Sequence, residues 1–174
     1  MSDPILSHAH DALTGERGEY VRNCLARVRD ALKGPIYGVL GDHDTVCMVP
    51  GLEEMGIRVL LNESVVIERG DQRLYLGGIN DARSYGVGNI EKTAAAIPRD
   101  EFSILLSHTP EVYRQAASAG FNVLLSGHTH GGQIVLPLVG PLFSGSAYGR
   151  RFLRGRRVLD RLTLYVTRGL GMEG

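Results

Sequence analysis

Three short apolar runs in this chain each stop at residues able to bind a metal ion. Ile36-Tyr37-Gly38-Val39-Leu40 ends at Gly41-Asp42-His43-Asp44, and Ile104-Leu105-Leu106-Ser107 ends at His108. Val123-Leu124-Leu125-Ser126 ends at Gly127-His128-Thr129-His130-Gly131-Gly132-Gln133. Apolar runs of four or five residues closed by glycine or a small polar residue read as buried strands. In α/β sheets, ligand sites form in the loops beyond the carboxyl ends of the strands. If the three strands share one layered domain, their ends can converge on one pocket.

The remaining elements fit that arrangement. Tyr20, Cys24, Leu25, Val28 and Leu32 fall at helical spacing, and Gly34-Pro35 closes the helix. Ile57 to Leu60 reads as a strand. Val65 to Glu68 and Arg73 to Leu76 read as a hairpin turning at Gly70-Asp71. Short helices are expected at 91–97 and 111–119, and a last strand at Leu162 to Val166. Helices alternating with strands, plus one hairpin, predict a single α/β domain over 1–174 with a mixed sheet.

At 174 residues the chain can bury a real core, and its formal net charge is zero. Neutrality gives no general reason to bind nucleic acid. Only Lys33 and Lys92 are lysines; nearly all positive charge is arginine, concentrated at Arg150, Arg151, Arg154, Arg156, Arg157, Arg161 and Arg168. Arginine bonds phosphate through two N–H groups at once, so a phosphate-containing small molecule or lipid headgroup is the expected partner. The segment Pro141 to Arg161 mixes these arginines with Leu142, Phe143, Tyr148, Phe152 and Leu153. That mixture suits a peripheral membrane contact, and equally a solvated surface loop. No apolar stretch approaches the ~20 residues of a bilayer span, and the amino terminus lacks signal-peptide character, so a cytoplasmic location is expected. Cys24 and Cys47 are expected to be buried free thiols.

One carboxylate with several imidazoles, and no thiolate, suits manganese, iron, zinc or a similar first-row ion better than a structural zinc cage. The motifs at 41–44, 107–108 and 127–130 resemble the later motifs of the calcineurin-like metallophosphoesterases. The continuation Gly131-Gly132-Gln133, with Thr167-Arg168-Gly169-Leu170-Gly171, resembles a bacterial subgroup that includes membrane-associated phosphodiesterases and lipid A precursor pyrophosphatases. The resemblance runs from about Asp11 to Gly171. It implies a layered α/β/β/α sandwich with mixed sheets, two divalent ions, and hydrolysis of a phosphodiester or pyrophosphate bond.

Carried over by position, the resemblance makes Asp42, His108 and His128 ligands of one metal, with Asp42 standing where the family usually has asparagine. It makes His130 a ligand of the other metal. His43 becomes the residue that stabilises the transition state or protonates the leaving oxygen, oriented by Asp44. The family's opening Asp-x-His motif has no counterpart upstream of Asp42, so the first strand is expected to be missing and both ends shortened. Asp11, in His8-Ala9-His10-Asp11, occupies the place of the family's bridging carboxylate. The same gap leaves a second reading open: a non-catalytic remnant holding a single metal or a phosphate.

Overall fold

A computed structural model gives the fold and describes residues 15–82, 86–132, 135–136, 140–141 and 146–169. Helix α1 (Gly15–Ala31) leads to β1 (Ile36–Gly38). A 3₁₀ turn at Val46–Met48 then precedes α2 (Val49–Glu54) and β2 (Ile57–Val59). The hairpin follows as β3 (Glu63–Arg69) and β4 (Gln72–Gly78), then α3 (Ile90–Ala94) and β5 (Ser103–Leu106). A 3₁₀ turn at Pro110–Val112 enters α4 (Tyr113–Ser118), which leads to β6 (Val123–Ser126). The small strands β7 (Val135–Leu136) and β8 (Gly140–Pro141), a 3₁₀ turn at Gly149–Phe152, β9 (Gly155–Leu159) and β10 (Leu162–Val166) complete the order.

Six strands form one mixed sheet in the order β3-β4-β5-β6-β10-β9. The inner four are mutually parallel, and antiparallel neighbours close both edges. Parallel pairing puts the carboxyl ends of β4, β5, β6 and β10 along a single sheet edge. The backbone ladder continues past the strand ends there: Ser107 N–H donates to Leu125 O at 3.1 Å, and Gly127 N–H to His108 O at 3.0 Å. Thr167 N–H donates to Ser126 O at 2.8 Å. The segments carrying His108, His128 and Arg168 are therefore in register rather than loose.

One face of this sheet builds the main core from Leu105, Leu124, Leu162 and Leu164, packed with Val112, Ala116, Phe121 and Phe152. Full burial of each such large side chain contributes about 1.5–3 kcal/mol. The other face packs Val65 and Leu76 beneath Leu60, Tyr37 and Val39, brought by the parallel pair β1–β2. Gly77 and Gly78 let both layers approach β4. A Cβ on Gly77 would stand 2.7 Å from Thr93 Cγ2, and one on Gly78 would stand 2.4 Å from Leu60 Cβ and 2.9 Å from Val39 Cγ1. Because Val39 leads directly into Gly41-Asp42, Gly78 sets how low that loop sits over the sheet.

Several expectations are corrected. Both cysteines are exposed: Cys24 lies on α1, which turns only part of its apolar stripe inward, with Leu25 and Ala26 half-buried while Tyr20, Val28 and Leu32 face solvent, and Cys47 lies on the 3₁₀ turn at Val46–Met48, which buries none of its residues. The arginine-rich stretch holds a strand, β9, that the sequence pattern did not reveal. Phe152 and Leu153 are core residues, and Tyr148 stacks edge-on against Tyr113 and Phe152, so these side chains are occupied internally rather than at a membrane surface. Leu142 and Phe143 lie outside the described residues. No helix among the described residues is long and apolar enough to cross a membrane.

Candidate metal centre

Asp42, His108 and His128 come together where β1, β5 and β6 end. Asp42 Oδ1 lies 2.8 Å from His108 Nε2, and Asp42 Oδ2 lies 3.6 Å from His128 Nδ1. His108 Nε2 and His128 Nδ1 are 3.0 Å apart, with the rings edge-on at 67°. One donor atom from each of the three residues falls within a 4.8 Å cluster, and all three side chains are half-buried. Two imidazole nitrogens and a carboxylate oxygen aimed at one point form a donor set suited to a first-row divalent ion.

Backbone geometry holds each donor in place. Gly41 passes directly over the His108 ring, where a Cβ would stand 2.8 Å from Nδ1 and Cε1. The 41–44 turn is closed twice: Gly41 N–H donates to Asp44 Oδ2 at 2.8 Å, and Asp44 N–H donates to Gly41 O at 3.2 Å. The Asp44 carboxylate thus locks the loop that carries Asp42. Across the site, His128 and His130 both adopt left-handed backbone, with φ of 66° and 47°. Non-glycine residues rarely do so, and such strain persists only where surroundings over-determine it. Here buried Thr129 fixes the loop, donating its hydroxyl to Leu153 O at 2.7 Å and its N–H to Gly127 O at 2.8 Å.

Burial alone would raise the Asp42 carboxyl, but the His108 imidazole, then His128, then the backbone and His43 outweigh it, holding the group below its ordinary value of 3.8. The carboxylate is thereby kept charged and ready to bind a cation.

The other candidates are placed differently. His43 is exposed on the same turn and close enough to act on the charge of Asp42. His130 is half-buried and is not a member of the three-residue cluster. Of the motif's two histidines, only His128 belongs to that cluster among the described residues. Asp11, His8, His10, Gln133, Leu170 and Gly171 lie outside the described residues. Sequence reasoning missed Thr129 as the residue that anchors the loop, and Asn62. The Asn62 side chain bonds Val87 O, Asn80 N–H and Asn89 N–H, tying down the segment after β4. A buried threonine between two histidines is a signal that could have found the first; nothing local marks the second.

No protein-family model matches the chain. It is 32% identical to the uncharacterized metallophosphoesterase YkoQ of Bacillus subtilis, in an alignment covering 94% of this chain and 65% of YkoQ. It is 28% identical to the phosphodiesterase YaeI of Escherichia coli over 79% of this chain and 52% of YaeI. The chain has metallophosphoesterase homologues, and they support the calcineurin-like family. A shorter match, 40% identical, joins half of this chain to 30% of the uncharacterized metallophosphoesterase YkuE of B. subtilis. The chain thus spans between about a third and two thirds of these relatives' lengths. Among solved structures, the fold matches a Staphylococcus aureus "Putative 5'-Nucleotidase" with a TM-score of 0.54 and 13% identity. That match covers 87% of this chain and 37% of the other. It shows a mixed α/β fold with a central mixed sheet.

Proposed function

We propose that this chain is a metal-dependent phosphoesterase that cleaves a phosphodiester or pyrophosphate bond. The observation carrying the proposal is the convergence of Asp42, His108 and His128 at the carboxyl edge of the parallel strands, in a chain whose relatives bear metallophosphoesterase and phosphodiesterase names. A divalent ion bound there would polarise a phosphoryl oxygen and acidify a coordinated water. Asp42 supplies the anionic ligand, and His108 and His128 supply neutral nitrogens. In this reading His43, exposed on the turn that Asp44 holds shut, donates a proton to the leaving oxygen. His130, with Asp11, would serve a second ion. A lipid-like substrate belongs to the proposal through the exposed guanidinium groups of Arg154, Arg156 and Arg157.

One observation favours a second reading, a chain that binds one ion without turnover. Among the described residues, only three donors gather, and His130 stands apart from them. Metal titration by calorimetry separates the two readings: turnover with two ions bound supports the first, whereas one tight ion without hydrolysis supports the second.

The direct test is release of nitrophenol from bis-4-nitrophenyl phosphate with added manganese. His108→Ala is the variant of choice, because His128 occupies left-handed backbone that alanine would strain. Loss of a ligand should lower metal-dependent turnover by on the order of 100-fold. Turnover that needs no metal and survives this substitution would refute the proposal.

A further inference from the structure

Two arginines are tied to the histidine loop, Arg168 by its own stem and Arg154 through the residue before it. Arg168 follows Thr167, whose N–H continues the β6–β10 ladder onto Ser126 O at 2.8 Å. Its aliphatic stem lies along Gly131, where a Cβ would stand 2.6 Å from Arg168 Cδ and 2.7 Å from Cγ. Gly131 has a φ of 70°, so glycine meets both the backbone and the space requirement. The Thr167 hydroxyl accepts the Gly169 N–H at 3.1 Å and holds the turn that presents Arg168. Arg154 is placed independently. It follows Leu153, whose carbonyl receives the Thr129 hydroxyl between His128 and His130.

Both arginines are exposed, and both line one open groove of about 610 Å³ with Tyr165 and Thr167. Among the described residues neither guanidinium is paired with a carboxylate. Two guanidinium groups lining a shared groove, neither paired with a carboxylate among the described residues, favour an anion with several oxygen acceptors. Because β6 and β10 are adjacent and parallel, this groove opens on the same sheet edge as the metal centre.

We infer that Arg154 and Arg168 form a subsite for a second phosphoryl group of the substrate, next to the group held at the metal centre. The inference rests on the phosphoesterase reading for its substrate. It narrows that class to compounds with a further phosphate near the scissile one, such as diphosphate diesters. Thr129 and Gly131 couple the two sites physically: the loop that aims His128 bonds the residue before Arg154 and lies against the stem of Arg168.

The test has two arms. In the first, the full chain is titrated calorimetrically with inorganic phosphate in excess chelator, so that no metal contributes. Wild type should bind phosphate, and Arg154→Gln and Arg168→Gln should each weaken binding about tenfold, the worth of one charge-assisted contact. Arg168→Lys should fall between wild type and glutamine. Equal affinities in all four proteins, or no binding in wild type, would overturn the inference. In the second arm, the manganese-loaded protein is given bis-4-nitrophenyl phosphate and a nitrophenyl phosphodiester bearing an additional phosphate. Wild type should prefer the latter, and either glutamine variant should reduce that preference about tenfold. An unchanged preference would overturn the subsite. Absence of turnover on both substrates would instead overturn the phosphoesterase reading, which the titration does not depend on.

Discussion

The Thr129 hydroxyl donates to the Leu153 carbonyl at 2.7 Å, across 24 residues of chain, and both residues are buried. This bond joins the loop between the two histidines to the segment entering β9. It explains how His128 and His130 can both hold left-handed backbone without a glycine. The loop's conformation is stabilised from inside the protein rather than by local preference.

Thr129→Val should therefore leave the Leu153 carbonyl buried without its donor. We expect a loss of about 1–3 kcal/mol in urea denaturation. Manganese affinity should fall as well, because His128 is no longer held. Thr129→Ser retains the hydroxyl and should lose less on both measures. A larger loss in Thr129→Ser than in Thr129→Val would show that the methyl group, not the bond, matters.

Gly41 passes so close over His108 that any side chain must displace the ring. Gly41→Ala should lower metal affinity by roughly 10–100-fold, the usual effect of disturbing a group that orients a ligand. Thermal stability should change far less, since Gly41 lies at the edge of the core. Calorimetric titration beside a melting curve distinguishes the two effects.

Asp42 makes the metal-free protein sensitive to acid. Its folded carboxyl lies below the ordinary 3.8, despite burial, because the neighbouring His108 and His128 imidazoles favour the charged form. A depressed carboxyl adds stability that is present above the unfolded value and is lost as pH falls through the folded one. Wild type should thus lose stability between about pH 4 and the lower folded value, and Asp42→Asn should lack that part of the slope. Denaturant titrations across this range in chelator would measure it.

The opposite layer is set by Gly78, where a Cβ would meet Leu60 at 2.4 Å. Gly78→Ala should cost about 1–3 kcal/mol through overpacking, and should also lift Val39 and the loop bearing Asp42. The expected signature is a stability loss accompanied by weaker metal binding. A stability loss alone would mean that the loop adjusts independently of the layer beneath it.

The sequence made some of this plain and hid the rest for identifiable reasons. The strands at 103–106, 123–126 and 162–166 are legible because each is a short apolar run with a sharp polar stop. The β3–β4 hairpin is legible from Gly70-Asp71 at its tip. Strand β9 is not, because an edge strand pairs on one side only. Gly155-Arg156-Arg157-Val158-Leu159 keeps most of its side chains in solvent and so lacks a buried pattern. The exposure of Cys24 is hidden for a related reason: an amphipathic spacing on α1 specifies a face but not what covers it.

The candidate site divides in the same way. Asp42, His108 and His128 are legible because each follows a short apolar run with a polar stop: β5 and β6 pair in parallel in the main sheet, and β1 brings Asp42 from the separate β1–β2 layer. The left-handed backbone at His128 and His130 is not legible, since it depends on what holds the loop from inside the protein. Thr129 to Leu153, Gly78 to Leu60 and Gly131 to Arg168 are contacts between distant parts of the chain. They become visible only once the layers are assembled.

The central claim is that Asp42, His108 and His128 bind one divalent ion together. Crystals grown with manganese, and measured for anomalous scattering, test it most directly. A peak is expected about 2.0–2.3 Å from an Asp42 carboxylate oxygen, His108 Nε2 and His128 Nδ1 at once. A manganese peak held elsewhere, or none at these three atoms in crystals grown at saturating metal, would contradict it.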